Sequence, residues 1–445
     1  MMKRIVMFGV LVGALLGAAS PSWAVDLKWG GDYRLRGFYI DNLTDTDENI
    51  QDSAAYYSSR FLLTLAATED NVSGVVTLAA GTNGVRGNRL LGATSFGPDG
   101  SAIGLVEAYL KADFKTWGLK GGRAIYKLGN GIILDDAVDG LWANFGLGGT
   151  GLTVATLKLR EVTDVTVVPI GNAAAGVGTG DDADLYVINA GFGNMAMGPA
   201  HNLNLFAAYL IDRSATLGGI AVTALDDVTL LILGVSADAD MGGLRLKGEF
   251  DFMNGTHKIP AGTDMDITGM NLVLGVKLDA GVIPLGVDVI YTTGVDPAGT
   301  DHNINGLSGN YPVGIIAANS GAVSDTYKDG TCLSVGGGRA YGGGALNCVD
   351  GSGLTAVKVS TGVVLGPQTI DLAAIYAKST EEPVIGGDTD LGIELDAMLT
   401  WTLTKRLSAM AGIGYLISGD YWKFGVAAAP TDNMTVLVSQ LAYTF

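Results

Sequence analysis

Leu244-Arg245-Leu246-Lys247-Gly248-Glu249-Phe250-Asp251-Phe252-Met253-Asn254 is the stretch that decides the fold. Leu244, Leu246, Phe250 and Phe252 alternate with Arg245, Lys247, Glu249 and Asp251. Successive side chains of a strand point to opposite faces, so one face is oily and the other charged. A soluble sandwich turns such a charged face to bulk water. A barrel in a membrane sets the apolar face on lipid and the charged face on a wet lumen. The number and length of such segments separate the two.

The pattern recurs along the chain. Tyr33 and Leu35 alternate with Arg34 and Arg36, Phe61 and Leu63 with Arg60 and Thr64, Val106 and Leu110 with Glu107 and Lys111, and Ile393 and Leu395 with Glu394 and Asp396. The spacing predicts eighteen strands near 26–39, 56–68, 74–81, 102–114, 118–128, 138–146, 151–160, 183–192, 202–212, 227–238, 243–254, 267–278, 285–294, 354–365, 369–378, 390–404, 407–417 and 434–445. Many exceed the usual globular strand and match a tilted membrane span. Short connections alternate with long ones, among them 40–55, 82–101, 161–182, 295–353 and 418–433. Short periplasmic turns and long extracellular loops are the plan of a bacterial barrel. The expected fold is all-β: a transmembrane antiparallel β-barrel of about eighteen strands.

Composition agrees. Of 445 residues 67 are Gly and only 11 Pro; apolar residues make 48% and charged residues 16%. That excludes a disordered acidic chain, and a net charge of −18 argues against nucleic acid. Lys3 and Arg4 precede an apolar run from Ile5 to Ala19, and Ser22-Trp23-Ala24 offers a small-x-small cleavage site. Residues 1–24 are therefore expected to be a signal peptide and 25–445 the barrel; losing two basic residues and no acids takes the charge to −20. Without a spanning helix, a secreted chain enters a membrane only as a closed barrel.

Phe445 ends an alternating strand with Tyr443, Leu441 and Leu437 on one face. A terminal aromatic of this kind resembles the signal read by the outer-membrane barrel assembly machinery, which makes that machinery an expected partner. Trp29, Tyr56, Tyr57, Phe114, Trp117, Tyr126, Trp401, Tyr415 and Tyr443 lie near strand ends, as interfacial girdles require. The surroundings expected are outer-membrane lipid and lipopolysaccharide.

The stretch Leu119-Lys-Gly-Gly-Arg123-Ala-Ile-Tyr126-Lys-Leu-Gly129, with Tyr33-Arg34-Leu35-Arg36 and Ser59-Arg60-Phe61, resembles the alginate-export-type outer-membrane barrels. That resemblance implies an eighteen-stranded channel with an Arg-rich lumen. Ala124 stands where that family usually has Gln, and acids dilute the Arg enrichment.

Little points to catalysis. His201, His257 and His302 are expected in turns or loops, no His–Ser pair falls on a predicted wall, and neither metal nor cofactor is expected. Asp45-Thr-Asp47-Glu-Asn49 opens like a calcium loop but lacks its Gly at the sixth position and Glu at the twelfth. Cys332 and Cys348, in a 59-residue connection rich in Gly, are expected to form a disulfide in an oxidising compartment, and that connection is a candidate to fold into the pore.

The expected function is a channel for passive diffusion or export of small polar or anionic solutes, selected by width and wall charge. A sheath around an electron-transfer partner, or a surface adhesin, is the alternative. Parity places Lys28, Arg34, Arg36, Arg60, Lys111, Arg123, Lys127, Lys158 and Arg160 on one wall with Asp32, Glu107 and Asp113. The other wall receives Arg245, Lys247, Lys277 and Lys358 with Glu249, Asp251, Asp288, Asp371, Glu394 and Asp396. A basic wall facing an acidic one makes a transverse field, with mild anion preference at the constriction.

Overall fold

The computed structural model describes residues 25–42, 53–82, 91–95, 102–160, 183–193, 201–212, 227–258, 264–281, 283–294, 302–303, 313–316, 353–382, 386–423, 425–426, 429 and 431–445. Eighteen strands form the barrel wall. They are β1 (Asp26–Asp41), β2 (Ala54–Glu69), β3 (Val72–Thr82), β4 (Ala102–Asp113), β5 (Trp117–Leu128) and β6 (Leu134–Leu147). Then follow β7 (Thr150–Arg160), β8 (Ala183–Gly193), β9 (His201–Asp212), β10 (Asp227–Asp240), β11 (Leu244–Lys258) and β12 (Met265–Ala280). The wall ends with β13 (Ile283–Thr292), β14 (Leu354–Leu365), β15 (Gln368–Lys378), β16 (Asp390–Thr402), β17 (Leu407–Ser418) and β18 (Met434–Thr444).

Each strand pairs antiparallel with its sequence neighbours, and β1 pairs with both β2 and β18. The sheet is thus closed. Closure leaves no unpaired edge, and in lipid every backbone polar group must find an internal partner. At the seam Gly31 N donates to Phe445 O at 3.2 Å and Phe445 N donates to Gly31 O at 3.1 Å. The Phe445 ring lies 5.9 Å from Trp29, 5.8 Å from Phe61 and 6.2 Å from Tyr443, an aromatic clasp on the periplasmic rim. Two short strands, Leu91–Ser95 beside β4 and His302–Asn303 beside β12, lie outside the cycle of eighteen. No helix among the described residues is long and apolar enough to cross a membrane.

The exterior is the oily face. Phe250, Phe252, Leu274, Val276, Ile393, Leu395, Leu437 and Leu441 are all exposed there. Trp29, Tyr57, Phe114, Trp117, Trp401, Tyr415 and Tyr443 are exposed near strand ends. Tyr126, expected in a girdle, instead points inward, buried against Trp142 at 6.0 Å. Its parity partners Ala124 and Leu128 are buried too, so the even face of β5 is the inner one.

The strand ends also correct the histidines. His201 opens β9 and His257 lies in β11, because the ladder extends past the alternating hydrophobic residues at those ends, and His302 lies in the separate two-residue strand paired parallel with β12. Residues 1–24, which include the expected signal peptide, and Cys332 and Cys348 lie outside the described residues.

Candidate functional site

The lumen wall is built by parity. On β1 and β2, Tyr33, Leu35, Tyr39 and Phe61 are exposed to the outside, which turns Asp32, Arg34, Arg36 and Arg60 inward with the buried Phe38. Arg34 sits directly opposite Arg60 in the register. Arg60 Nη2 contacts Asp32 Oδ1 at 3.2 Å, and Arg36 Nε donates to Gln440 Oε1 at 2.8 Å. Cross-strand bonding orients these guanidinium groups.

The next strands continue the charged surface. Glu107 accepts from Thr77 Oγ1 at 3.2 Å and from Ile125 N at 3.3 Å. Lys111 pairs with Asp113 at 2.6 Å and lies opposite Lys120. Lys120 Nζ stands 4.1 Å from the Tyr109 ring centroid and 5.2 Å from that of Trp142. Such cation–π contacts hold an ammonium without cancelling its charge. Lys120 was not expected in the lumen. The two faces of β5 are nearly equal in hydrophobicity, Leu119/Arg123/Ile125 against Lys120/Ala124/Tyr126, so alternation alone picks neither.

That ambiguity produces the main correction. Arg123 pairs with Asp139, Asp139 with Lys158, and Lys158 with Asp184. Their same-face neighbours Ile125, Leu141, Thr156 and Tyr186 are exposed on the lipid side. By register Arg123 and Lys158 share that face in a charged rung, with Arg123–Asp139 at 2.8 Å and Lys158–Asp184 at 2.9 Å, but Arg123 is only 8% exposed and is covered rather than open to lipid. Lys127, paired with Asp135 at 3.9 Å, shares that face. Lys158 lies near the extracellular end of its strand, where a charge on the lipid face is tolerated far better than at the midplane. Arg160 ends β7 after a register shift, and its side chain lies outside the described set.

Across the barrel, Glu249, Asp251 and Glu394 of the predicted acids face inward but do not confront open water. Glu249 and Glu394 are 2% and 0% exposed, and Asp251 is fully buried. Each group has a partner inside the lumen. The turn after β5, residues 129–133, folds in so that Asn130 N donates to Glu249 Oε2 and Asn130 Nδ2 donates to Gly248 O at 2.9 Å. Gly129, at φ +58°, packs where an added Cβ would meet both Glu249 oxygens at 2.8 Å. Residues 313–316, inside the long connection, fold in likewise. Ile315 N donates to Asp396 Oδ2 at 3.2 Å, Ile316 N to Glu394 Oε1 at 2.6 Å, and Lys358 Nζ to Val313 O at 2.7 Å. Asp251 accepts from Asn271 Nδ2 at 3.4 Å, and Asp288 lies opposite Lys358 in the register.

Apolar packing supports the in-folded segments. Ile132, Val313, Ile315 and Ile316 join Val273, Ile290, Ile375, Leu416, Val436 and Phe38 in one buried cluster. A second cluster, including Trp142, Leu157, Val187, Phe206, Leu230 and Ile232, lines the inner face from β5 to β12. The inner face of β7 to β10 thus carries a run of buried apolar side chains, a departure from the expected alternation. Toward the periplasmic ends the inner side chains are open: Lys28, Arg245, Lys277 and Asp371 are exposed, and Arg245 contacts Asp240 and Asp279, each at 3.4 Å. The lumen is narrowed by the chain's own residues in its extracellular half and wetter below.

No protein-family model matches this chain, and no curated protein matches it either. Solved structures do. Pseudomonas aeruginosa OccK2 in complex with glucuronate matches with a TM-score of 0.55 at 12% identity, covering 94% of this chain and 98% of that one. The chain has the fold of an outer-membrane porin. Acinetobacter baumannii OccAB1 gives a TM-score of 0.54 at 12% identity over 96% and 98% of the two chains. A BenF-like porin from Pseudomonas fluorescens gives 0.54 at 12% over 94% and 98%. These structures are porins rather than alginate exporters, so the resemblance to alginate-export barrels is not supported.

Proposed function

We propose that this chain is an outer-membrane channel through which small anionic solutes diffuse passively. The observation that carries the reading is the unequal fate of charge on the two walls. Glu249, Asp251, Glu394 and Asp396 are buried or engaged by in-folded residues, whereas Arg34 and Arg60 keep partial exposure in the lumen, Arg60 with Asp32 beside it, and Lys111, paired with Asp113, and Lys120 continue the basic residues along the wall. The apolar inner face from β5 to β12 offers little dielectric screening, so the basic wall sets the field. That OccK2 was solved with glucuronate, a sugar acid, supports a carboxylate-bearing solute.

A sheath for an electron-transfer partner would need a lumen free to receive it. Residues 129–133 and 313–316 occupy that space, which favours the channel. Phe445, in its clasp with Trp29, Phe61 and Tyr443, is the residue we assign to recognition by the barrel assembly machinery, and lipid with lipopolysaccharide surrounds the wall. The test is reconstitution of purified protein in planar bilayers. Open-channel currents with an anion-leaning reversal potential, reduced by added sugar acid, are expected. Silent bilayers from correctly folded protein would sink the reading.

A further inference from the structure

We infer that Glu394 and Asp396 on β16, with Glu249 on β11 as a second anchor, are positioning residues that set the width of the pore by latching in-folded backbone. This rests on the channel reading above. Adjacent amides of the segment 313–316 are held by carboxylates two residues apart on one inward face: Ile315 N on Asp396 at 3.2 Å and Ile316 N on Glu394 at 2.6 Å. Lys358 takes the carbonyl of Val313 at 2.7 Å, so three side chains from two strands grip four consecutive residues. Gly314 is shaped to the latch: an added Cβ would lie 2.6 Å from Glu394 Oε2 and 2.7 Å from Ile375 Cδ1. On β11, Glu249 holds Asn130 N in the same manner.

A buried backbone amide deprived of its acceptor has no compensation in an apolar surround. The segment then gains by leaving for the wet end of the lumen. A carboxylate engaged in this way acts on solutes through the segment it places rather than as a field charge.

Planar-bilayer recordings with polymer exclusion separate the two roles. Glu394→Met with Asp396→Ala removes the acceptors, and Gly314→Ala sets a Cβ against the Glu394 carboxylate, loosening the latch with no change of charge. Both should raise single-channel conductance at least about twofold and admit larger polyethylene glycols, because conductance follows the constriction. Glu394→Gln with Asp396→Asn keeps an acceptor oxygen on each side chain and should restore the wild-type size cut-off while shifting the reversal potential. Wild-type conductance and cut-off in both disrupting variants would overturn the latch, and so would a Gln/Asn variant as wide as the acceptor-less one. If the Met/Ala variant does not assemble, Gly314→Ala alone decides. Failure of the channel reading would look different, since the wild type itself would pass no current.

Discussion

Replacing Arg34 and Arg36 together with alanine removes two positive charges from the inner face of β1, and replacing Arg123 and Lys158 together with methionine removes two from the outer face. The change in net charge is identical, so only location distinguishes the variants. A unit charge about 4 Å from a permeating ion is worth about 1 kcal/mol in water. Screening lowers this within a Debye length of about 8 Å. Arg34, partly exposed, then supplies most of about 1 kcal/mol of preference and the buried Arg36 little, so their loss should cut the anion-to-cation permeability ratio by about fivefold. The outer charges stand across the sheet from the ion path, and each is held beside an acid, Arg123 at 2.8 Å from Asp139 and Lys158 at 2.9 Å from Asp184. Their removal should leave the ratio within about twofold of wild type, because an ion pair acts at a distance only as a dipole. Reversal potentials in a tenfold salt gradient read both variants. An equal shift from the outer pair would refute the assignment of that rung to the lipid face. No shift from the inner pair would show that the field has another source.

Three further outcomes are expected. Phe206→Ala deletes a large ring from the buried inner cluster and should lower stability by about 3–5 kcal/mol, read by urea unfolding in detergent or lipid. Phe445→Ala removes three ring contacts at the seam, each worth about 0.5–1.5 kcal/mol, and should slow assembly, seen as a smaller heat-modifiable fraction on gels. β1 begins at Asp26, one residue past the proposed cleavage site, so N-terminal sequencing of the membrane-inserted protein should read from Val25; retention of Met1 would contradict the signal peptide.

The wall of this barrel is determined by the sequence alone. Alternation has a period of two, lipid demands an unbroken oily face, and eighteen segments repeat that demand, so each wall strand was legible to within four residues at each end, while the short strands Leu91–Ser95 and His302–Asn303 fell in expected loops. The inward positions of Arg34, Arg36, Arg60, Glu249 and Glu394 follow from the same rule, because Tyr33, Leu35, Phe61, Phe250 and Ile393 beside them leave no doubt which face is oily. The rule lost its power where both faces carry similar side chains. Around Arg123 and Lys158 the register with neighbouring strands, not the strand's own pattern, decides the side. The lumen was likewise decided by tertiary structure. Asn130, Ile132, Val313 and Ile315 carry no periodic signal, since each belongs to a short in-folded piece held by residues distant in sequence. Glu249, Glu394 and Asp396, three of the acids expected on a charged wall, are partners of those pieces. Such pairing depends on which segments meet across a closed barrel, and a local pattern holds no record of that.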